Sequence, residues 1–283
     1  MIPQTSQTKR IEPQPKQRLF LQSRADIAWY GGAAGGGKSF ALILDPLRYV
    51  HIRDFTAVLF RSSFPQLVNP GGLLAETVAI YPDLGGVLRK SNLTWRFPSG
   101  ATIKLGYVGS DQDVLKWQGS QIAMLGFDEL THFTEYQFWY MLSRNRSACG
   151  IKPYVRATMN PDADHFAASM LAWWLDEQGY AIPERSGALR HFVRDGDTIR
   201  WVEPDALDDA GLPARSFSFV SADVYDNPAL LAKDHGYLSN LLALPTVERE
   251  RLLRGNWRIR ATAGTVFHRD NLAFTATPPP VIA

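Results

Sequence analysis

Residues 29–42, WYGGAAGGGKSFAL, place five glycines and two alanines directly before Lys38. Neither helix nor strand favours this composition, since glycine gives up about 0.5–1 kcal/mol more backbone entropy than alanine in a regular element. Gly32 to Ser39 fits G-x-x-x-x-G-K-[ST] in full. An apolar run, ADIAWY (25–30), precedes it, and KSFALILDPLRYVHI (38–52), apolar at helical spacing, follows. Strand, loop and helix in that order are the context in which this motif cradles phosphates. The glycines let several backbone N–H groups turn inward without side chains blocking the approach. The helix start adds unpaired N–H groups and a partial positive charge. Gly32, Ala33, Ala34, Gly35, Gly36, Gly37, Lys38, Ser39 and Phe40 are therefore the candidate nucleotide-binding residues. Lys38 is expected to reach the β- and γ-phosphates, and Ser39 to offer its hydroxyl to Mg²⁺.

About ninety residues later the apolar run SQIAMLGFDEL (120–130) ends in Asp128 and Glu129. An acid at such a strand end holds Mg²⁺, usually through water, which is the role expected of Asp128. The second acid points elsewhere and is the candidate general base, so Glu129 implies hydrolysis as well as binding.

Other runs read as strands at 55–61 and 153–161, a hairpin over 93–108 turning at Pro98-Ser99-Gly100, and a helix over 135–146. Pro46 should kink or end the helix that begins at Lys38. Strands alternating with helices over 25–175 predict an α/β fold, a P-loop NTPase with a mainly parallel sheet flanked by helices. Downstream, a hairpin is expected over 188–204, a strand, turn and helix start over 216–231, and two helical pieces broken at Pro245. The domains expected are an arm (1–16), an ATPase core (17–180), a small lid (181–262) that could pack back on the core, and a linker (263–283).

The 283 residues carry a net charge of +2, too mild to imply nucleic acid without a local patch. The single cysteine, Cys149, excludes an internal disulfide and suits a reducing compartment. No run is apolar and long enough for a membrane span. The histidines are scattered without zinc-site spacing.

The set KQRLFLQS…IAWYGGAAGGGKS, LFRSSFPQL, LKWQGSQIAMLGFDELTHFT, LSRNRS and VRATMNPD, with FSFVSADVYDNPAL and LPTVERERLLRGNW downstream, resembles the ATPase domain of a tailed-phage terminase large subunit, over residues 16–270 or so. The resemblance implies a DNA-packaging motor that hydrolyses ATP with Mg²⁺ and moves double-stranded DNA into a procapsid in the host cytoplasm. The portal protein, the terminase small subunit and further copies in a ring are its implied partners. It places Gln17 at the adenine, and Thr158 and Asn160 where nucleotide state is coupled to subdomain movement.

The family also needs a stimulating cation. No arginine lies in the phosphate loop, and Lys116 and Gln118 stand where some relatives carry one before the acid strand. Arg144 and Arg146 are the best local candidates, with Arg61 a further option. Lys90, Arg96, Lys104 and Lys116, around the first hairpin, are candidate contacts to DNA phosphates. The family's nuclease domain would lie beyond residue 283, so nuclease activity is not expected of this chain. The aspartates at 195, 197, 205, 208, 209, 223 and 226 read as turn residues rather than a metal site. A helicase on the same core, or a nucleotide-dependent assembly switch with little turnover, are the alternatives.

Overall fold

The computed structural model describes residues 11–234 and 236–260. Its strands are β1 (Ile27–Gly32), β2 (Thr56–Arg61), β3 (Val87–Arg89), β4 (Thr94–Arg96), β5 (Thr102–Tyr107), β6 (Met124–Phe127), β7 (Tyr154–Met159), β8 (Leu189–Asp195), β9 (Thr198–Val202) and β10 (Arg215–Ala222). They form one sheet in the order β3-β4-β5-β2-β6-β7-β1-β10-β8-β9. The six central strands, β5-β2-β6-β7-β1-β10, are parallel. Antiparallel pairs close each edge.

The helices are α1 (Pro15–Leu21), α2 (Lys38–Leu44), α3 (Phe64–Val68), α4 (Leu73–Val78), α5 (Glu135–Leu142), α6 (Phe166–Met170), α7 (Pro228–Lys233), α8 (Gly236–Leu242) and α9 (Thr246–Leu252). As expected from Pro46, α2 gives way to a 3-10 turn at Asp45. Strands buried on both faces read as continuous apolar runs, which is why β1, β2, β6 and β7 are visible in the sequence. In β1, Ile27 and Trp29 enter the core beneath α5 and α6, while Ala28 and Tyr30 enter the one beneath α1 and α2. Trp29 meets Phe138, Phe166 and Phe217 edge to face, contacts worth about 0.5–1.5 kcal/mol each beyond their buried area.

Two expectations change. The 93–108 hairpin forms, but β5 also pairs in parallel with β2, so it is part of the main sheet. The proposed lid boundary at 181 does not coincide with a break in the sheet: β10 lies beside β1, and β8 and β9 extend the same sheet. Pairing with β1 satisfies the backbone of a strand whose Phe217, Phe219 and Val220 are wholly buried. What stands beside the phosphate loop as a small separate cluster is Val224, Leu241 and Leu253. Residues 1–10 of the arm and the whole 263–283 linker lie outside the described residues.

Candidate nucleotide site

In a parallel sheet with helices on both faces, ligands sit at the carboxyl ends of the strands. There, β1 ends at Gly32, the loop turns, and α2 starts at Lys38. Gly32 has φ +127°, and a Cβ on it would lie 2.4 Å from the Ala222 carbonyl oxygen. Three loop carbonyls are held by side chains from outside the loop. The Tyr30 hydroxyl donates to Gly36 O (3.0 Å), Asn227 Nδ2 to Gly35 O (2.8 Å) and Gln17 Nε2 to Gly37 O (2.9 Å). The Ala33 and Ala34 N–H groups donate to Ala222 O and Leu252 O. The N–H groups of Gly35, Gly36 and Gly37 meet no protein acceptor among the described residues. Holding the carbonyls back leaves these donors free, the arrangement of an anion nest. Gly32→Ala is expected to destabilise the fold by at least about 1–3 kcal/mol, because it adds a clash to a backbone conformation that L-residues avoid. A lowered urea midpoint would register this.

Lys38 Nζ donates to Ala33 O (2.5 Å), Gly32 O (3.3 Å) and Asn160 Oδ1 (3.0 Å). Withdrawal from water lowers its pKa to about 8, against the pull of Asp128 and Glu129. Asp128 is wholly buried. Its Oδ1 accepts from Ser39 Oγ (2.8 Å) and from the Thr158 hydroxyl, and its Oδ2 from Arg61 Nε (2.8 Å). Arg61 also reaches Glu129 at 3.2 Å, and His132 Nδ1 lies 3.1 Å from the same carboxylate oxygen. The His132 hydrogen bond and then the Arg61 charge hold Glu129 below its ordinary pKa, against the effect of burial. Glu129 itself sits in the left-handed region, φ 58°. Such a backbone costs a non-glycine residue about 1–3 kcal/mol. The cavity is about 480 Å³ and is bounded by residues 34–40, Glu129, Thr158, Asn160 and Asn227. Ser39 and Asp128 offer only oxygen atoms, a donor set that suits a hard divalent cation such as Mg²⁺.

Residues 29–274 match the family model "Terminase large subunit, T4likevirus-type, N-terminal". The chain belongs to this family. No curated protein sequence matches it. Among solved structures it is similar to the large terminase of a thermophilic bacteriophage, with a TM-score of 0.59 at 16% identity over 95% of this chain and 60% of that one. The same phage's enzyme with ATP-gamma-S aligns with a TM-score of 0.55 at 15% identity, over 86% of this chain and 52% of that one. The Thermus phage P74-26 large terminase ATPase domain aligns with a TM-score of 0.54 at 11% identity, over 87% of this chain and 94% of that one. At these identities the likeness establishes the terminase ATPase fold. The chain spans about 60% of the length of the first of these proteins.

Within this terminase domain the fold brings together Lys38, Ser39, Asp128, Glu129, Thr158 and Asn160. Phe40 lines the same cavity. Gln17 is near the loop, but its amide is engaged at both ends: Nε2 on Gly37 O, and Oε1 accepting the Gln14 N–H that caps α1. It is 4% exposed and does not line the cavity, so the structure does not present it to a base.

Arg144 and Arg146 are not brought to the site. Their backbones bond Ile122, before β6, whereas Asp128 follows β6. Six near-extended residues separate the two ends by roughly 20 Å. Arg61 is the arginine at the acids, because the register Phe60↔Phe127 sets the next residues of β2 and β6 side by side.

Sequence reasoning passes over His132, Tyr30 and Asn227. His132 follows Glu129 by three residues on a 3-10 turn, where such residues stack, and that spacing is a usable signal. Tyr30 and Asn227 carry none. The aspartates at 195, 197, 208 and 223 serve local ion pairs and caps. No metal-binding cluster of His, Cys, Asp and Glu occurs among the described residues. Nor is any described helix long and apolar enough to cross a membrane.

Proposed function

We propose that this chain is the ATP-hydrolysing motor domain of a phage terminase, moving double-stranded DNA into a procapsid. The observation that carries the reading is the junction of Lys38, Ser39 and Glu129 around one cavity at the carboxyl ends of the strands, with Asp128 buried directly behind Ser39. Free loop amides and the Lys38 ammonium hold the triphosphate. Ser39 and Asp128 would hold Mg²⁺, which when bound neutralises charge on the phosphates. Glu129 orients the attacking water and accepts its proton. Thr158 touches both the Asp128 carboxylate and the Glu129 amide, so it ties the two acids to β7. Asn160, on Lys38, joins the same strand end to the phosphate loop. These contacts suit a role in passing nucleotide state to the rest of the domain.

Arg61 is the stimulating cation within the chain; any role of Arg144 or Arg146 falls to a neighbouring subunit's site. The Arg61 guanidinium is 11% exposed and rests on both acids. Arg61→Gln is expected to lower turnover about 10²-fold while ATP affinity is kept, the loss typical for one aimed donor. Phosphate release and nucleotide titration separate the two effects.

The portal, the small subunit and a ring of copies are the partners of this reading, in the host cytoplasm. The test is steady-state ATP hydrolysis with and without DNA. Stimulation by duplex supports the motor; stimulation by single strands with strand separation points to a helicase. Binding without turnover points to an assembly switch.

A further inference from the structure

We infer that the outer face of β3, β4 and β5 is the surface on which the duplex phosphate backbone rests; the inference builds on the motor reading and locates its DNA. Leu88, Trp95 and Ile103 lie opposite one another and pack into the core. Side chains alternate across a strand. Val87, Arg89, Thr94, Arg96, Thr102 and Lys104 therefore share the other face, in the register Arg89↔Thr94↔Lys104 and Val87↔Arg96↔Thr102. That face carries three cations and no carboxylate, and Lys90 follows at its rim.

None of Arg89, Lys90, Arg96 and Lys104 pairs with a carboxylate among the described residues. Lys116, by contrast, is compensated by Asp113 at 2.6 Å. In a chain of net charge +2, four uncompensated cations on one sheet edge are a local concentration that suits a polyanion. The face continues into a groove of about 430 Å³ that includes Lys90, Lys104, Lys116, Tyr107 and Trp117.

Charge alone suits a single strand as well, but the Trp117 ring does not. Trp117 has the Lys104 ammonium over its face at 4.8 Å and meets Phe60 edge to face, so it offers no open platform for base stacking. Two strand spacings, about 9–10 Å, separate the β3 and β5 cations. With long, flexible side chains at both positions, Arg89 and Lys104 can reach phosphates on the two sides of a groove about 6 or 12 Å wide. The face is also close to the chemistry. Tyr107 pairs in register with Arg61, and Phe64, three residues beyond Arg61, packs against the Tyr107 ring.

The test is fluorescence anisotropy of a labelled duplex, and of one of its strands alone, titrated with the full chain over a salt series. The triple variant Lys90→Gln/Arg96→Gln/Lys104→Gln is expected to weaken duplex binding and reduce the slope of log K against log salt by about 2.7, near 0.9 for each phosphate no longer neutralised. A charge-matched control, Arg53→Gln/Lys152→Gln/Arg200→Gln, should keep the native slope. Melting temperatures confirm folding, and Arg96→Gln alone, at an exposed position, should still remove about 0.9. A folded triple variant with native affinity and slope would overturn the surface while leaving the motor reading intact. So would single-stranded DNA binding as tightly and depending on the same residues. A native chain that binds no duplex even at low salt would overturn both.

Discussion

Glu129→Ala is expected to leave ATP affinity within a few-fold of native and to lower turnover by about 10²–10⁴, the usual contribution of a positioned acid–base group. The carboxylate borders the cavity but makes no contact with the phosphate loop; its partners are Arg61 and His132. Its removal therefore spares the groups that hold phosphate. Lys38→Ala is expected to remove binding and turnover together, because its ammonium bridges Gly32, Ala33 and Asn160 at the loop. Titration with a fluorescent ATP analogue and phosphate release, run on both variants, separates the two outcomes. Undiminished turnover in Glu129→Ala would show that another group activates the water.

The largest loss of stability is expected at Asp45→Ala, far from this chemistry. Asp45 is wholly buried at the end of α2 and takes Arg48 at 3.0 Å through both oxygens and Arg156 at 3.4 Å. Arg156 is 3% exposed in the middle of β7. Its Nη atoms donate to the carbonyls of Ser23, Ala25 and Val155, so it clamps β7 to the segment leading into β1. Removing Asp45 leaves this guanidinium buried without a counter-charge, at a cost of about 3–5 kcal/mol. Against a total of about 5–15 kcal/mol for a domain, that unfolds a large part of the population under mild urea. Arg156→Met in the same chain should recover much of the loss, since removing both charges avoids the unpaired one. Additive losses in that double-mutant cycle would contradict the coupling.

How far each feature can be read depends on how local its cause is. The phosphate loop is legible because its chemistry needs glycines at consecutive positions with a strand before and a helix after. The Asp128-Glu129 pair is legible for the same reason, as acids ending an apolar run. The edges of the fold are not. A strand's neighbours depend on pairings across the chain, and β10 joins β1 across nearly two hundred residues of sequence. Read alone, the alternating pattern of β5 suits a hairpin, which is half of its pairing.

Within the site, Gln17 stands next to the loop but is not exposed to the cavity. Its sequence position cannot reveal that the Gly37 carbonyl and the Gln14 amide already occupy it. Arg144 and Arg146 are close in sequence to the acids, but helix α5 lies between them and carries the chain back to the start of β6, the opposite end of the strand.

The sequence by itself thus determined the loop, the Ser39 hydroxyl at its end, the two acids and the parallel core that presents them, because each is set by a short segment's composition and periodicity. Only the tertiary structure decided which cation meets those acids. Arg61 and Asp128 are 67 residues apart in the chain and adjacent in space, because β2 and β6 pair in one register, set by burial of both their faces.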